Sequence, residues 1–179
     1  SRAPVYHGSA LALQQPPRAI EPPPWGDESI SYPRFVRPVL DRYCVGCHDG
    51  SKKDRPNFKG GQQPSADKRG RRRFSAAYTA LCKYVRRPGP ESDYHILTPM
   101  EFHGSTSPLI QKLNKGHHNV KLPQEAWEAL YAWIDFNAPY HPTWTSAVGK
   151  RATSEAQKRR ELMKIYTNID VDPEYMPPA

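Results

Sequence analysis

Cys44-Val45-Gly46-Cys47-His48 is the stretch on which the reading of this chain turns. Two cysteines at i and i+3 lie on one face of a helical turn, so both thiols can reach the same flat ligand. The histidine that follows can offer an imidazole nitrogen from beneath. C-x-x-C-H is the pattern by which c-type haem is attached, with thioether bonds to the two vinyl groups and imidazole on the iron. Three other readings compete. A zinc site needs four ligands, and the one further cysteine is Cys82. A thioredoxin-like redox pair needs a βαβ setting. A plain pair of structural thiols is the third.

Moving outward, Ser31 precedes Phe35, Val36, Val39, Leu40 and Tyr43, whose helical spacing predicts a helix that runs straight into the motif. After it, residues 49–73 are polar and hold almost no apolar side chain except Phe58, which predicts a surface excursion. A second helix is expected from Ser75, with Tyr78, Leu81, Cys82 and Val85 on one face and Pro88 ending it. Residues 88–105 read as irregular. Ser107-Pro108 opens a third helix with Leu109, Ile110 and Leu113 as its stripe and Gly116 as a left-handed stop. The best helical pattern spans Pro123 to Phe136 through Trp127, Leu130, Tyr131 and Ile134, closed by Asn137-Ala138-Pro139. A last helix is expected from Thr153, with Glu155 in its first turn, to about Tyr166. Its apolar face is narrow: Leu162, Ile165 and Tyr166. No alternating strand pattern or internal repeat stands out, so the class is mostly α.

Composition fits a small domain in need of a staple. The chain has 179 residues, of which 37% are hydrophobic and 20 are proline, and its net charge is +8. No apolar run approaches the roughly 18–20 residues of a membrane span. The glycines lack the collagen period, and aromatics at 11% argue against full disorder. Three cysteines cannot close a disulfide framework. One buried porphyrin would supply the apolar mass that the side chains lack. Haem c is attached on the exported side of a membrane, so the expected compartment is periplasm-like. Ala10-Leu11-Ala12-Leu13 is too short for a signal core, and the export signal is expected upstream of Ser1.

Function turns on the second axial ligand of the iron. The candidates are His7, His95, His103, His117, His118, His141, Met100, Met163 and Met176. His117-His118 sits between two expected helices, which can hold an imidazole rigidly against a flat ligand. Met100 lies in the proline-bearing stretch Leu97-Thr98-Pro99-Met100-Glu101-Phe102, a common cytochrome arrangement. His117 is the expected ligand, with His118 and Met100 as alternatives. The basic run Lys68-Arg69-Gly70-Arg71-Arg72-Arg73 reads as a solvated loop or as a docking patch for an acidic redox partner. Nucleic-acid binding fits poorly, since no recognised motif accompanies the charges. Cys82 reads as a buried inert thiol, and Trp127, Tyr131 and Trp133 as core or haem wall. No catalytic carboxylate pair stands out.

From Pro33-Arg34-Phe35-Val36-Arg37-Pro38-Val39-Leu40-Asp41-Arg42-Tyr43-Cys44 onward the chain resembles the single-haem cytochrome c domains of large multidomain exported proteins. Ser107-Pro108-Leu109-Ile110 and Trp133-Ile134-Asp135-Phe136-Asn137-Ala138-Pro139 are similar to segments flanking the ligand loop in that group. Many relatives carry methionine where this sequence has Gly116 or His117, which favours His117 over Met100. The lead-in Ser1-Arg2-Ala3-Pro4-Val5-Tyr6-His7-Gly8, the loop Gly116-His117-His118-Asn119-Val120-Lys121-Leu122 and the tail Asp170-Val171-Asp172-Pro173-Glu174 resemble the C-terminal haem domain of the hydrazine synthase alpha subunit family. The resemblance covers most of the chain, and its one highly specific motif is the haem motif.

That resemblance implies a small cytochrome c-like helical domain around one covalent haem, with long irregular loops and an extended Pro-rich lead-in. The expected division is a lead-in over 1–30, a haem domain over 31–145 and a C-terminal helix and tail over 146–179. It implies electron transfer by a bis-histidine haem c on Cys44, Cys47, His48 and His117. The domain would be a relay within an oxidoreductase such as a hydrazine synthase-like complex, and not catalytic by itself. Its partners would be a redox protein or other haem domains of the same complex, in a periplasm or, if the likeness holds, an anammoxosome. The alternative is a catalytic haem with an open sixth site acting on a small nitrogen or oxygen species. A zinc-stabilised interaction module is the third reading.

Overall fold

The computed structural model describes residues 14–19, 21–26, 28–60, 74–89, 97–172 and 174–175. His7, His95, Met176, the basic run over 68–73 and the first residues of the lead-in lie outside the described residues. Among those described, the secondary structure is helical and no strand occurs.

A π-turn over Tyr32–Val36 runs without a break into α1 (Arg37–Tyr43). Pro38 explains the wide turn. It has no N–H to give the carbonyl of Arg34, and its ring would crowd that carbonyl in an α register. The chain opens instead to an i→i−5 bond from the Arg37 N–H to the Tyr32 carbonyl. Phe35, Val36, Val39 and Leu40 are buried, as their spacing predicts.

The second helix, α2 (Ala76–Cys82), begins where expected, with the Ser75 hydroxyl accepting from the Tyr78 N–H at 3.3 Å. It stops well before Pro88. Tyr84 and Val85 donate to the carbonyls three residues back instead. The exit is pinned to the start of α3 (Pro108–Asn114): the Leu109 N–H donates to the Tyr84 carbonyl at 2.9 Å, and the Arg86 N–H to the Ser107 hydroxyl at 3.2 Å. Tertiary bonds thus replace another helical turn.

At the end of α3, Gly116 takes φ +86, the left-handed stop expected of it. The long helix α4 (Gln124–Asp135) carries Ala126, Leu130, Trp133 and Ile134 into the core. Ahead of α3, a 3-10 turn over Gly104–Thr106 lies against α4, and the Gly104 N–H donates to the Asp135 carboxylate. A Cβ on Gly104 would come within 2.8 Å of the Tyr131 ring, so only glycine allows this approach.

The corner Asn137-Ala138-Pro139 ends α4 with positive φ at Asn137 and Ala138. Four bonds hold it. The Ala138 N–H donates to the Trp133 carbonyl and the Tyr78 hydroxyl to the Ala138 carbonyl, while the Tyr32 N–H and the Trp133 indole both donate to the Pro139 carbonyl. Tyr32, Tyr78, Trp133 and Tyr140 cluster there, with ring centroids 4.9–6.1 Å apart. This knot fixes how α1, α2 and α4 meet.

A short α5 (Trp144–Val148), which the sequence reading missed, carries a reciprocal capping box between Thr143 and Ser146. The expected boundary at 145/146 falls inside it. A 3-10 turn leads to α6 (Thr153–Thr167), which has no buried residue and ends on left-handed Asn168.

Candidate functional site

α1 delivers the motif. The Cys44 and Val45 N–H groups both donate to the Leu40 carbonyl, and those of Cys47 and His48 both donate to the Cys44 carbonyl. This tight turn brings Cys44, Cys47 and His48 to one cleft. Its empty volume is about 840 Å³, including the solvent at its mouth. Val39, Leu40 and Tyr43 of α1, Leu109 and Leu113 of α3, and Leu130 of α4 supply its walls, and Val120 and Leu122 complete them. His117 and His118 also line it. The walls are apolar and the polar groups few, the usual make-up of a cofactor site.

The segment after the motif is more than a surface excursion. It returns so that the His48 Nδ1 lies 2.9 Å from the Pro56 carbonyl, and the Phe58 N–H donates to the His48 carbonyl at 2.8 Å. A carbonyl can only accept, so His48 Nδ1 carries a proton, and in the neutral ring that leaves the lone pair on Nε2. The buried Phe58 ring sits 4.9 Å from the imidazole, and the Arg37 guanidinium ties the Phe58 carbonyl back to α1 at 2.9 Å. Arg37 in turn pairs with Asp41. Pro56, Phe58 and Arg37 were not foreseen as site residues. The signal was there: a lone aromatic in a polar segment marks the place where it docks.

Opposite, the His117 ring lies with its centroid 6.0 Å from that of His48 and its plane 27° from parallel. Its loop bends sharply, with positive φ at Gly116, His118 and Asn119, and the Val120 N–H closes on the His117 carbonyl. Left-handed non-glycine residues cost roughly 1 kcal/mol or more each, a strain that collects where a side chain must be aimed. Burial first, then His118, Lys112, His48 and Arg55, hold the His117 pKa below the ordinary imidazole value. Its neutral, ligand-competent form is therefore favoured at neutral pH. Burial, reinforced by Cys47, pushes the Cys44 thiol up to about 11. That is the opposite of the stabilised thiolate of a reactive cysteine pair.

No family model, curated protein or solved structure matches the chain.

A haem can be tested against that geometry. Metal–imidazole bonds of about 2 Å on opposite sides of one metal put two ring centroids about 6 Å apart. The His48–His117 pair has that separation across a mostly apolar cleft that both cysteines line, and ligation would need the nitrogen-bearing edges of the rings, not their faces, turned toward the iron. These residues fit the group. Among the described residues no three His, Cys, Asp or Glu side chains converge to hold a metal ion unaided.

The remaining candidates lie elsewhere. Met100 is 59% exposed and outside the cleft wall, and Met163 belongs to α6. The His103 ring accepts from the Ser105 N–H at the start of a 3-10 turn. His141 packs on Phe74 and Tyr140. The His118 ring meets His117 edge-on at 4.6 Å. Cys82 is half-buried beside Tyr78, and burial raises its pKa.

Proposed function

We propose that this chain is an electron-relay domain carrying one covalent haem c. Cys44 and Cys47 would bind it by thioethers, and His48 and His117 would ligate its iron. The observation that carries this reading is the pair of imidazoles 6.0 Å apart across an apolar cleft lined by both cysteines. When bound, the group supplies a one-electron redox centre, and two imidazoles give it a lower potential than histidine with methionine.

The chain's own residues do the rest. The Pro56 carbonyl holds the His48 Nδ1 proton, which fixes the tautomer and strengthens the ring as a donor. Phe58, Leu113 and Leu130 keep water from the buried side. Were His48 and His117 both to hold the iron, no position would remain for a substrate, which favours relay over catalysis. The resemblance to the hydrazine synthase alpha subunit family adds the rest of the proposal: a larger exported redox protein, in a periplasm-like compartment, whose other centres exchange electrons with this one. No helix of the described residues is long and apolar enough to cross a membrane.

The test is a visible absorption spectrum of the purified protein, oxidised and reduced, with and without carbon monoxide. Sharp low-spin bands unaffected by carbon monoxide are expected. A high-spin spectrum that shifts with carbon monoxide would overturn the relay and favour the catalytic alternative. A chain matured in a haem c-attaching host that still lacks visible bands would overturn the haem itself.

A further inference from the structure

Arg37 opens α1, beyond whose other end His48 lies, and it does not line the cleft. Its guanidinium is nonetheless fully engaged. Nε donates to Asp41 Oδ2 at 2.8 Å, Nη2 to Asp41 Oδ1, and Nη1 to the Phe58 carbonyl at 2.9 Å. The Arg37 side chain is 19% exposed and that of Asp41 49%, and an i,i+4 pair this open adds little to stability. Its effect is directional. The carboxylate holds the planar fork still, with the third bond aimed across 21 residues of sequence at Phe58.

Phe58 is gripped on both sides. Its N–H donates to the His48 carbonyl at 2.8 Å and its carbonyl accepts from Arg37, while its buried ring lies 4.9 Å from the imidazole. Two residues earlier, the Pro56 carbonyl takes the His48 Nδ1 proton at 2.9 Å. Proline has a fixed φ, so little freedom separates that carbonyl from the point where Phe58 is pinned. Residues 50–54 are exposed, and the hold on this returning segment comes from Phe58 and the bonds on either side of it. Without Arg37 the segment would hang on His48 itself, the residue whose ring it orients.

We infer that Arg37 is a positioning residue for His48: its bond to the Phe58 carbonyl keeps the Pro56 carbonyl on the imidazole and so sets how strongly that ring donates to the haem iron. The inference rests on the relay reading, since what the ring would set is the potential of the bound group. A proton held firmly on one ring nitrogen makes the other a better donor, which favours the oxidised iron and lowers the potential. Loosening the Pro56 carbonyl therefore raises it. A charge effect has the opposite sign, because removing a nearby cation disfavours the reduced state and lowers the potential. Lysine separates the two. It keeps the charge, but as a point donor it cannot hold Asp41 and the Phe58 carbonyl in one planar arrangement.

The test measures, in the isotope-labelled protein, the hydrogen exchange of the His48 Nδ1 proton by NMR and the reduction potential of the haem. Exchange reads the bond to Pro56 whether or not the haem is attached. Arg37→Lys should speed it about tenfold and raise the potential. Asp41→Asn leaves the Phe58 bond but frees the fork, and should act in the same direction by less. Arg34→Lys, on the preceding turn and paired with Glu28, is the control and should change neither. Unchanged exchange in Arg37→Lys would overturn the inference, and so would a potential that stays or falls. Equal acceleration by Arg34→Lys would overturn it as well, leaving general loosening of the helix start as the cause. A missing haem spectrum with exchange still dependent on Arg37 would sink the relay alone. A sound spectrum with exchange indifferent to Arg37 would sink this inference alone.

Discussion

Two adjacent histidines line the cleft, and the structure separates their parts. The His117 ring lies 6.0 Å from the His48 ring, whereas the His118 ring packs edge-on against His117 from a left-handed residue. If the proposed haem is bound, His117→Ala should leave its iron open on one side and give a reduced spectrum that shifts with carbon monoxide. His118→Ala should keep a spectrum indifferent to carbon monoxide. The opposite pattern would assign the ligand to His118. Sequence spacing placed both residues in one loop, and only the packed structure shows which of the two rings lies beside His48.

At the scale of elements, burial and regular structure part company. α4 places four residues in the core, whereas the longer α6 buries none. Leu162, Ile165 and Tyr166 are 41%, 72% and 81% exposed, so the narrow stripe expected of α6 exists but stays largely at the surface. Surface ion pairs from Arg160 and Lys164 to Asp170 hold its last turns, and such pairs contribute about 0–1 kcal/mol each. A helix of 15 residues is marginal on its own. In native-state hydrogen exchange the α6 amides should exchange at least about a hundredfold faster than those of Leu130, Trp133 and Ile134. Matching protection would mean that something covers α6. Helices with strong apolar periodicity were legible because they pack on the core. The short α5 was not, because its capping box stabilises it locally and leaves no periodic trace.

For the molecule as a whole, the tyrosine knot that joins α1, α2 and α4 sets an alkaline limit. Burial first, then Cys82, pushes the Tyr78 hydroxyl up to about 12, against a pull downward from Arg87. Tyr32 is raised as well, chiefly by burial. An acid whose folded pKa lies above its unfolded value leaves stability intact below the unfolded value, about 10. Above that, the unfolded chain releases its protons first, so stability falls as pH rises toward 12. Ionisation also removes the proton that Tyr78 donates to the Ala138 carbonyl. Urea midpoints should hold steady below pH 9 and fall between about 10 and 12. Tyr78→Phe should start lower and fall less steeply. An equal slope in the variant would place the alkaline transition outside this knot.

Local order alone decided much of this protein. The C-x-x-C-H spacing, the caps at Ser75 and Gly116 and the apolar rhythm of 123–136 act over a few residues, so the sequence by itself determined the helical class, most helix starts and the face on which Cys44, Cys47 and His48 stand. What lay beyond it depends on contacts between segments far apart in the chain. The Pro56 carbonyl reaching His48, the early end of α2 at Cys82 and the meeting of His48 with His117 exist only once the segments pack. Each results from loops closing on a shared core, and no periodicity within a single segment encodes where such a loop will land.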